Sequence, residues 1–389
     1  MRCVSLMLGI SVSLAAQQTE IKYPDIKKSS DGFWVRSQSG GGEAAPAARL
    51  QISSQVRVVL RGTTENRISY HLGQRVRAKT VEEAAQKMTG SASITVSPGV
   101  TLITAQGLLS YATLELLVPR QVKTATLEIL SRRGGDIEID NFSGNVQAHT
   151  PSGDVQADNV GGSIEATTGA GHIRLGRIGG PVKCYTGAGS ITIADAGADV
   201  NCQTAGGEIS VKQARGPVRL ESGGGNILVE RASLSVEAHS MRGAIQVGQA
   251  GGVVIADTSA GEIRLGSAAG VHAESAAGPV HVTDAAGPLN VSTAMGNILA
   301  ELLAGGRLQN SSLAAASGDI TVTIPSNVAV SVMATNEMGG IPRIVSDFSE
   351  VRGRWLNFAR PPLAEGAIHG GGPVLLLTGS GIIYLKKTK

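Results

Sequence analysis

The sequence predicts an all-β protein: a parallel β-solenoid with coils of about eighteen residues in two sheets, capped by an N-terminal antiparallel β module. Three observations predict it. Glycine recurs every nine residues through the middle of the chain, apolar residues follow each of those glycines at the second and fourth positions, and the 389 residues are 42 % hydrophobic but only 3 % aromatic. A core must therefore be filled by small side chains in many repeated layers. The net charge of +3 and the slightly positive mean hydropathy exclude a disordered chain. At 52 glycines, about one residue in seven, collagen is excluded as well. No basic block gives an electrostatic footprint for nucleic acid.

The chain opens with Met1-Arg2, a mostly apolar run from Cys3 to Leu14, and Ala15-Ala16 before polar Gln17-Gln18. This is the pattern of a secretory signal over 1–16. It predicts export, to the periplasm, the cell envelope or the outside. The run is too short to span a bilayer as a helix, and no later segment is long and apolar enough, so no transmembrane span is expected. Residues 17–46 read as a flexible lead-in, with Ser37 to Ala48 rich in Gly, Ala and Ser.

Residues 47–130 lack the glycine frame but alternate in hydropathy. Leu50 to Ile52, Val56 to Leu60, Ile94 to Val96, Thr101 to Ile103, Leu114 to Val118 and Thr126 to Ile129 each read as a strand. One short helix is expected after Thr80, an N-cap with Glu83 three residues on.

The repeat fills 131–335. Glycine falls at 135, 144, 153, 162, 171, 180, 189, 207, 216 and 225, with Ala198 standing in at 198. The frame slips near Ala232 to Leu234 and resumes at Gly243, Gly252, Gly261 and Gly270, then, one residue short, at Gly278, Gly287 and Gly296. Ile137 and Ile139, Ile173 and Leu175, Ile191 and Ile193, and Val218 and Leu220 show the period of two within a rung, with Glu138, Arg174 and Arg219 between them facing water. Glycine at fixed phase marks a corner that needs either φ > 0 or close backbone approach.

Seven residues after the glycine stand Val160, Ile178, Ala196 and Ala214 in one set of rungs, and Gly169, Gly187, Ala205 and Gly223 in the other. The true unit is therefore eighteen residues, two strands per coil. Stacked at about 4.8 Å per coil, Gly134 to Pro325 would make a rod about 50 Å long. Cys184 and Cys202, eighteen apart at the same inward phase, should be stacked neighbours, a structural core pair for which a disulfide is geometrically allowed.

Residues 336–389 read as a lid and a closing strand. Phe348, Trp355 and Phe358 lie among Arg343, Arg352, Arg354 and Arg360, the one aromatic-plus-basic cluster visible in the linear sequence. Trp355, Phe358, Arg352 and Arg354 are the candidate contacts for a ligand or partner. Val374 to Leu385 is the closing strand.

Ser-Gly-Asp-Val at 152–155, Ser-Gly-Asp-Ile at 317–320, Leu-Val-Pro-Arg at 117–120 and the closing Gly-Gly-Gly-Pro-Val-Leu-Leu-Leu-Thr-Gly-Ser-Gly-Ile-Ile at 370–383 occur in that order. With them the chain resembles the bacterial putative-adhesin family, exported domains of unknown function with Gly-rich β-strand repeats. The resemblance covers roughly 47–386 and implies a β-solenoid of the cell envelope. The family has no catalytic residues to carry over.

The residues assign no catalytic group, no cofactor and no metal. A calcium β-roll needs glycine and aspartate where this repeat has Ile or Val, as in Gly161-Gly162-Ser163-Ile164. His149, His172, His272 and His281 show no ligand spacing in the linear sequence. Asp136, Asp154, Glu208, Glu262 and Asp319 follow corner glycines and read as a solvated rim. The first reading is a non-enzymatic, adhesin-like envelope protein that meets an envelope polymer, a cell surface or a protein partner. The alternatives are a scaffold or stress-sensor domain that self-associates through the solenoid ends, and a polysaccharide-active β-helix enzyme.

Overall fold

A computed structural model describes residues 23–43, 49–106, 111–129, 134–305, 308–338, 343–354 and 363–388. The expected leader, 1–16, lies outside the described residues. Among them no helix is long and apolar enough to cross a membrane.

The fold is the predicted parallel β-solenoid, with about eleven coils following in chain order and antiparallel strands at the N-terminal end. The repeat writes the register. Ile173 lies beside Ile191 and Ile191 beside Ile209 in the first sheet, while Val182 lies beside Val200 and Val200 beside Val218 in the second, an eighteen-residue step. Where the frame is one residue short, the step shortens with it and Ile263 pairs with Val280. Each strand buries alternate residues, so like stacks on like in continuous columns. Ile191, Ile193, Ala196, Val200 and Cys202 belong to one continuous buried core, filled mainly by aliphatic side chains with Phe142 as a fully buried ring.

Most corner glycines are demanded by close approach, not by φ. A Cβ on Gly189 would lie 1.9 Å from the carbonyl oxygen of Gly171 one coil below, and the backbone there has no positive φ. Gly206, at the same corner, has open space around it. Gly189→Ala is therefore expected to lower the urea midpoint strongly and Gly206→Ala to leave it nearly unchanged. Equal shifts would show that close coil stacking does not select the glycine.

A buried hydroxyl column staples the same corner. Thr186 Oγ1 donates to the Gly171 carbonyl at 2.8 Å and accepts from the Gly189 N–H at 3.1 Å. Thr150, Thr168, Ser222, Ser240, Thr258 and Ser275 repeat the arrangement, each three residues before a corner glycine. The hydroxyl satisfies two backbone groups that the tight turn removes from the ladder. Thr186→Val keeps the shape and orphans both, at about 1–3 kcal/mol for each unsatisfied group. Thr186→Ser should cost much less in the same denaturation experiment.

The acidic rim is structural too. Asp154 Oδ1 accepts from the His172 N–H one coil on at 2.8 Å, Asp136 does the same for Asp154 at 3.0 Å, and Asp319 accepts from Ile382 at 2.7 Å. Burial pushes the Asp154 carboxyl up, but Arg174 at 2.7 Å and the His172 N–H outweigh it and hold the group below its ordinary range.

Both ends depart from chain order. Arg49–Ser54 pairs in parallel with both Val100–Gln106 and Thr124–Ile129, and Arg57–Thr63 with both Tyr111–Pro119 and Ile137–Asp140. The first coil in sequence thus lies between two later ones. Five of the six strands expected in an antiparallel module instead extend the parallel stack. The antiparallel strands are Ser91–Ser97, Arg67–Val76, Trp34–Glu43 and Ile26–Lys28. The expected loose linker after Ser37 is strand as far as Glu43, because its glycines pair with Arg67–Val76. The helix is Val81–Lys87, with Thr80 Oγ1 accepting from the Glu83 N–H, and Ala84 and Met88 bury against Ile26 and Trp34.

At the other end the closing segment is two strands around a further corner. Val374–Gly379 lies between Ser311–Ser317 and Val330–Asn336, and Ile383–Lys387 lies between Ile320–Ile324 and Ile344–Ser346. The last coil in sequence is the penultimate coil in space. Buried Asn336 takes the stapling role there, donating to the Gly381 carbonyl and accepting from the Met338 N–H. Phe348 closes the end, buried and edge-on to His369.

Candidate functional site

The outer face of the second sheet holds a groove of about 890 Å³ that runs from Tyr185 to Ala316. Its floor is one outward column, Tyr185, Gln203, Glu221, His239, Asp257 and Glu274, each beside the next in parallel register. Its wall is the row of corners, where Ala205, Gly223, Ser259 and Ala276 keep the rim low. Tyr185 and Met241 expose about half or more of their surface into it, 49 % and 63 %. Because the floor residues stand on strands whose opposite faces are the core, their spacing is fixed by the solenoid.

Charge is concentrated toward the middle of this face. Arg219 meets Glu221 at 3.4 Å and Glu237 at 3.2 Å. His239 Nε2 lies 3.0 Å from Glu237 Oε1, and its Nδ1 lies 2.9 Å from Asp257 Oδ2. Asp257 Oδ1 is buried and has no hydrogen-bond partner. On the next strand, which carries both residues, His272 Nε2 lies 3.6 Å from Glu274 Oε1. Four carboxylates therefore surround one permanent cation and two imidazoles. Exposed pairs of this kind contribute little to stability.

Of the residues singled out in the sequence, Arg352 is exposed on the edge strand Arg352–Arg354, paired with Leu363–Ile368. Trp355 and Phe358 lie outside the described residues, as does the side chain of Arg354. Cys184 and Cys202 are register partners, buried, with free thiols. The facing Cys202 and then burial push the Cys184 thiol well up, which disfavours the reactive thiolate.

A second aromatic-plus-basic cluster escaped the linear reading. Arg75 and Arg77 stack on Phe33 at 4.0 and 4.7 Å, and Asp31 pairs with Arg75. Antiparallel pairing of Trp34–Glu43 with Arg67–Val76 brings them together across more than forty residues.

No protein-family model and no curated protein matches the chain. Solved structures do. A putative cell adhesion protein from Clostridium sporogenes aligns over 91 % of this chain and 100 % of its own at 8 % identity and a TM-score of 0.18. A putative adhesin from Bacteroides fragilis aligns over 91 % and 97 % at 10 % identity and a TM-score of 0.19. A putative lipid binding protein from Parabacteroides distasonis aligns over the same shares at 9 % identity and a TM-score of 0.18. At such identities no ligand passes from one chain to another.

Proposed function

We propose that this chain is a non-enzymatic, adhesin-like binding protein of the bacterial cell envelope or surface, in which the solenoid holds the groove on its second sheet against an extended ligand. The groove carries the reading. It is long, shallow, lined by small and polar side chains with exposed Tyr185 and Met241, and built on strands, so it is preorganised for a polymer or an extended surface protein. The signal pattern at 1–16 supports export. Short corners, in place of the long loops of polysaccharide-active β-helices, weigh against catalysis.

Self-association through the ends fits less well. Three of the four outermost strands, Ile26–Lys28, Ile344–Ser346 and Arg352–Arg354, are only three residues long, and two of them are basic. Short charged edges oppose strand addition.

The test is a pull-down of the full chain on peptidoglycan, surface polysaccharide and whole cells, with two variants. Ala205→Arg with Ala276→Arg fills the groove from exposed positions, and Trp355→Ala removes the aromatic candidate near the C-terminus. Saturable binding lost only in the first variant is the expected result. Loss only in Trp355→Ala moves the site to 336–372, and no binding to any surface removes the adhesin-like reading.

A further inference from the structure

Glu237 and His239, Asp257, and His272 and Glu274 stand on three successive strands of the second sheet and meet because the coil repeats. Residues 239, 257 and 274 are spaced by one eighteen-residue coil and one seventeen-residue coil, and so stand in one outward column. His272 and Glu274 are two apart on one strand and share its outer face. One ligand atom each from Asp257, His272 and Glu274 lies within 4.8 Å of the other two. We propose that these three side chains bind a divalent transition-metal ion of the zinc type, with His239 as a positioning residue behind Asp257.

Two observations beyond the clustering carry this. The two oxygens of Asp257 are unequal: Oδ2 is held by His239 Nδ1 at 2.9 Å, whereas Oδ1 is inaccessible to solvent and has no partner. An orphaned carboxylate oxygen is costly, and a cation satisfies it. Glu237 in turn holds the far nitrogen of His239 at 3.0 Å, so the carboxylate that would ligate is oriented by a second carboxylate through an imidazole. Such an outer layer orients and tunes metal ligands. The second observation is charge. Glu221, Glu237, Asp257 and Glu274 face Arg219 as the only permanent cation among the described residues ion-paired to them.

The donor set selects the ion. One imidazole nitrogen and two carboxylate oxygens suit zinc-type ions, whose bonds are about 2.0–2.2 Å long, and offer too few oxygens for calcium, which takes six to eight. His272 and Glu274 are half-exposed, so small rotamer changes can draw the three atoms to bonding distance. Three protein ligands leave a fourth position open, and Asp257 and Glu274 both line the groove. The site stands apart from the proposed ligand, because metal binding is read on the chain alone.

The test is calorimetric titration of the tag-free, chelator-stripped full chain with Zn²⁺ near neutral pH, with Co²⁺ absorption as a second readout. Saturable binding of one ion per chain is expected, with calcium and magnesium failing to compete at equal concentration. Glu274→Gln and His272→Ala should each weaken binding more than about tenfold, and His239→Gln by about ten- to a hundredfold with the one-site stoichiometry retained. Thermal midpoints without metal should be unchanged, since the replaced groups are on the surface; if His272→Ala melts early, Glu274→Gln alone decides. Absence of saturable zinc binding, binding unaffected by Glu274→Gln, or displacement of zinc by equimolar calcium would each overturn the site.

Discussion

A chain ending at His369 is expected to lose stability along its whole C-terminal end and to associate, although only twenty residues are removed. In a solenoid stacked in chain order such a deletion would shorten the rod by one coil and expose one fresh edge. Here Val374–Gly379 and Ile383–Lys387 are hydrogen-bonded on both sides, to Ser311–Ser317 and Ile320–Ile324 below and to Val330–Asn336 and Ile344–Ser346 above. Their removal leaves the neighbours two coil spacings apart, about 9.6 Å, with both ladders open. It also removes Leu375, Leu377, Ile383 and Leu385, each at most 1 % exposed and worth about 1.5–3 kcal/mol. That is a large part of a total stability of about 5–15 kcal/mol. Urea denaturation followed by circular dichroism, with size-exclusion chromatography, should show a much lower midpoint and oligomers from exposed edges. A monomer with an unchanged midpoint would mean that the inserted coil holds nothing together. Removing only Thr388 and Lys389, beyond the last strand, should change little.

Ile191→Asp is the second large effect. Ile191 is fully buried in a column between Ile173 and Ile209, which are fully buried themselves. A carboxylate there is desolvated without a partner, and a loss of more than about 4 kcal/mol is expected. Thr192→Asp, one residue on, points outward beside Arg174 and should stay within about 0.5 kcal/mol of the parent. The pair differs only in strand phase, so equal urea midpoints would show that the inward and outward faces are misassigned.

Much of the fold was legible because the repeat is local. Every coil needs glycine where its backbone meets the coil below, as at Gly189 against Gly171, and the apolar phase follows from that corner. The hydroxyl staple left a signal as well, Thr or Ser three residues before alternate corner glycines, a polar period set inside the apolar one. The charged column was harder to see. His239, Asp257 and Glu274 look scattered until the sequence is folded at eighteen residues and the one-residue slip before Gly278 is included. The cluster of Phe33 with Arg75 and Arg77 left no periodic signal, because an antiparallel hairpin with a long excursion brings it together.

The sequence by itself determined the coil: its length, its two strands, which residues face inward, and the small-residue core in which Cys184 meets Cys202. These follow from contacts between residues one period apart, and a periodic chain repeats them in its own text. Only the tertiary structure decided the order of stacking at the two ends. Arg49–Ser54 fits above Val100–Gln106 as well as below Thr124–Ile129, and Val374–Gly379 fits between Ser311–Ser317 and Val330–Asn336. The physical reason is that parallel strands with matching apolar columns can pair with any edge of the same phase. Which edge is taken is settled by long-range closure and by the caps, and neither has a period to read.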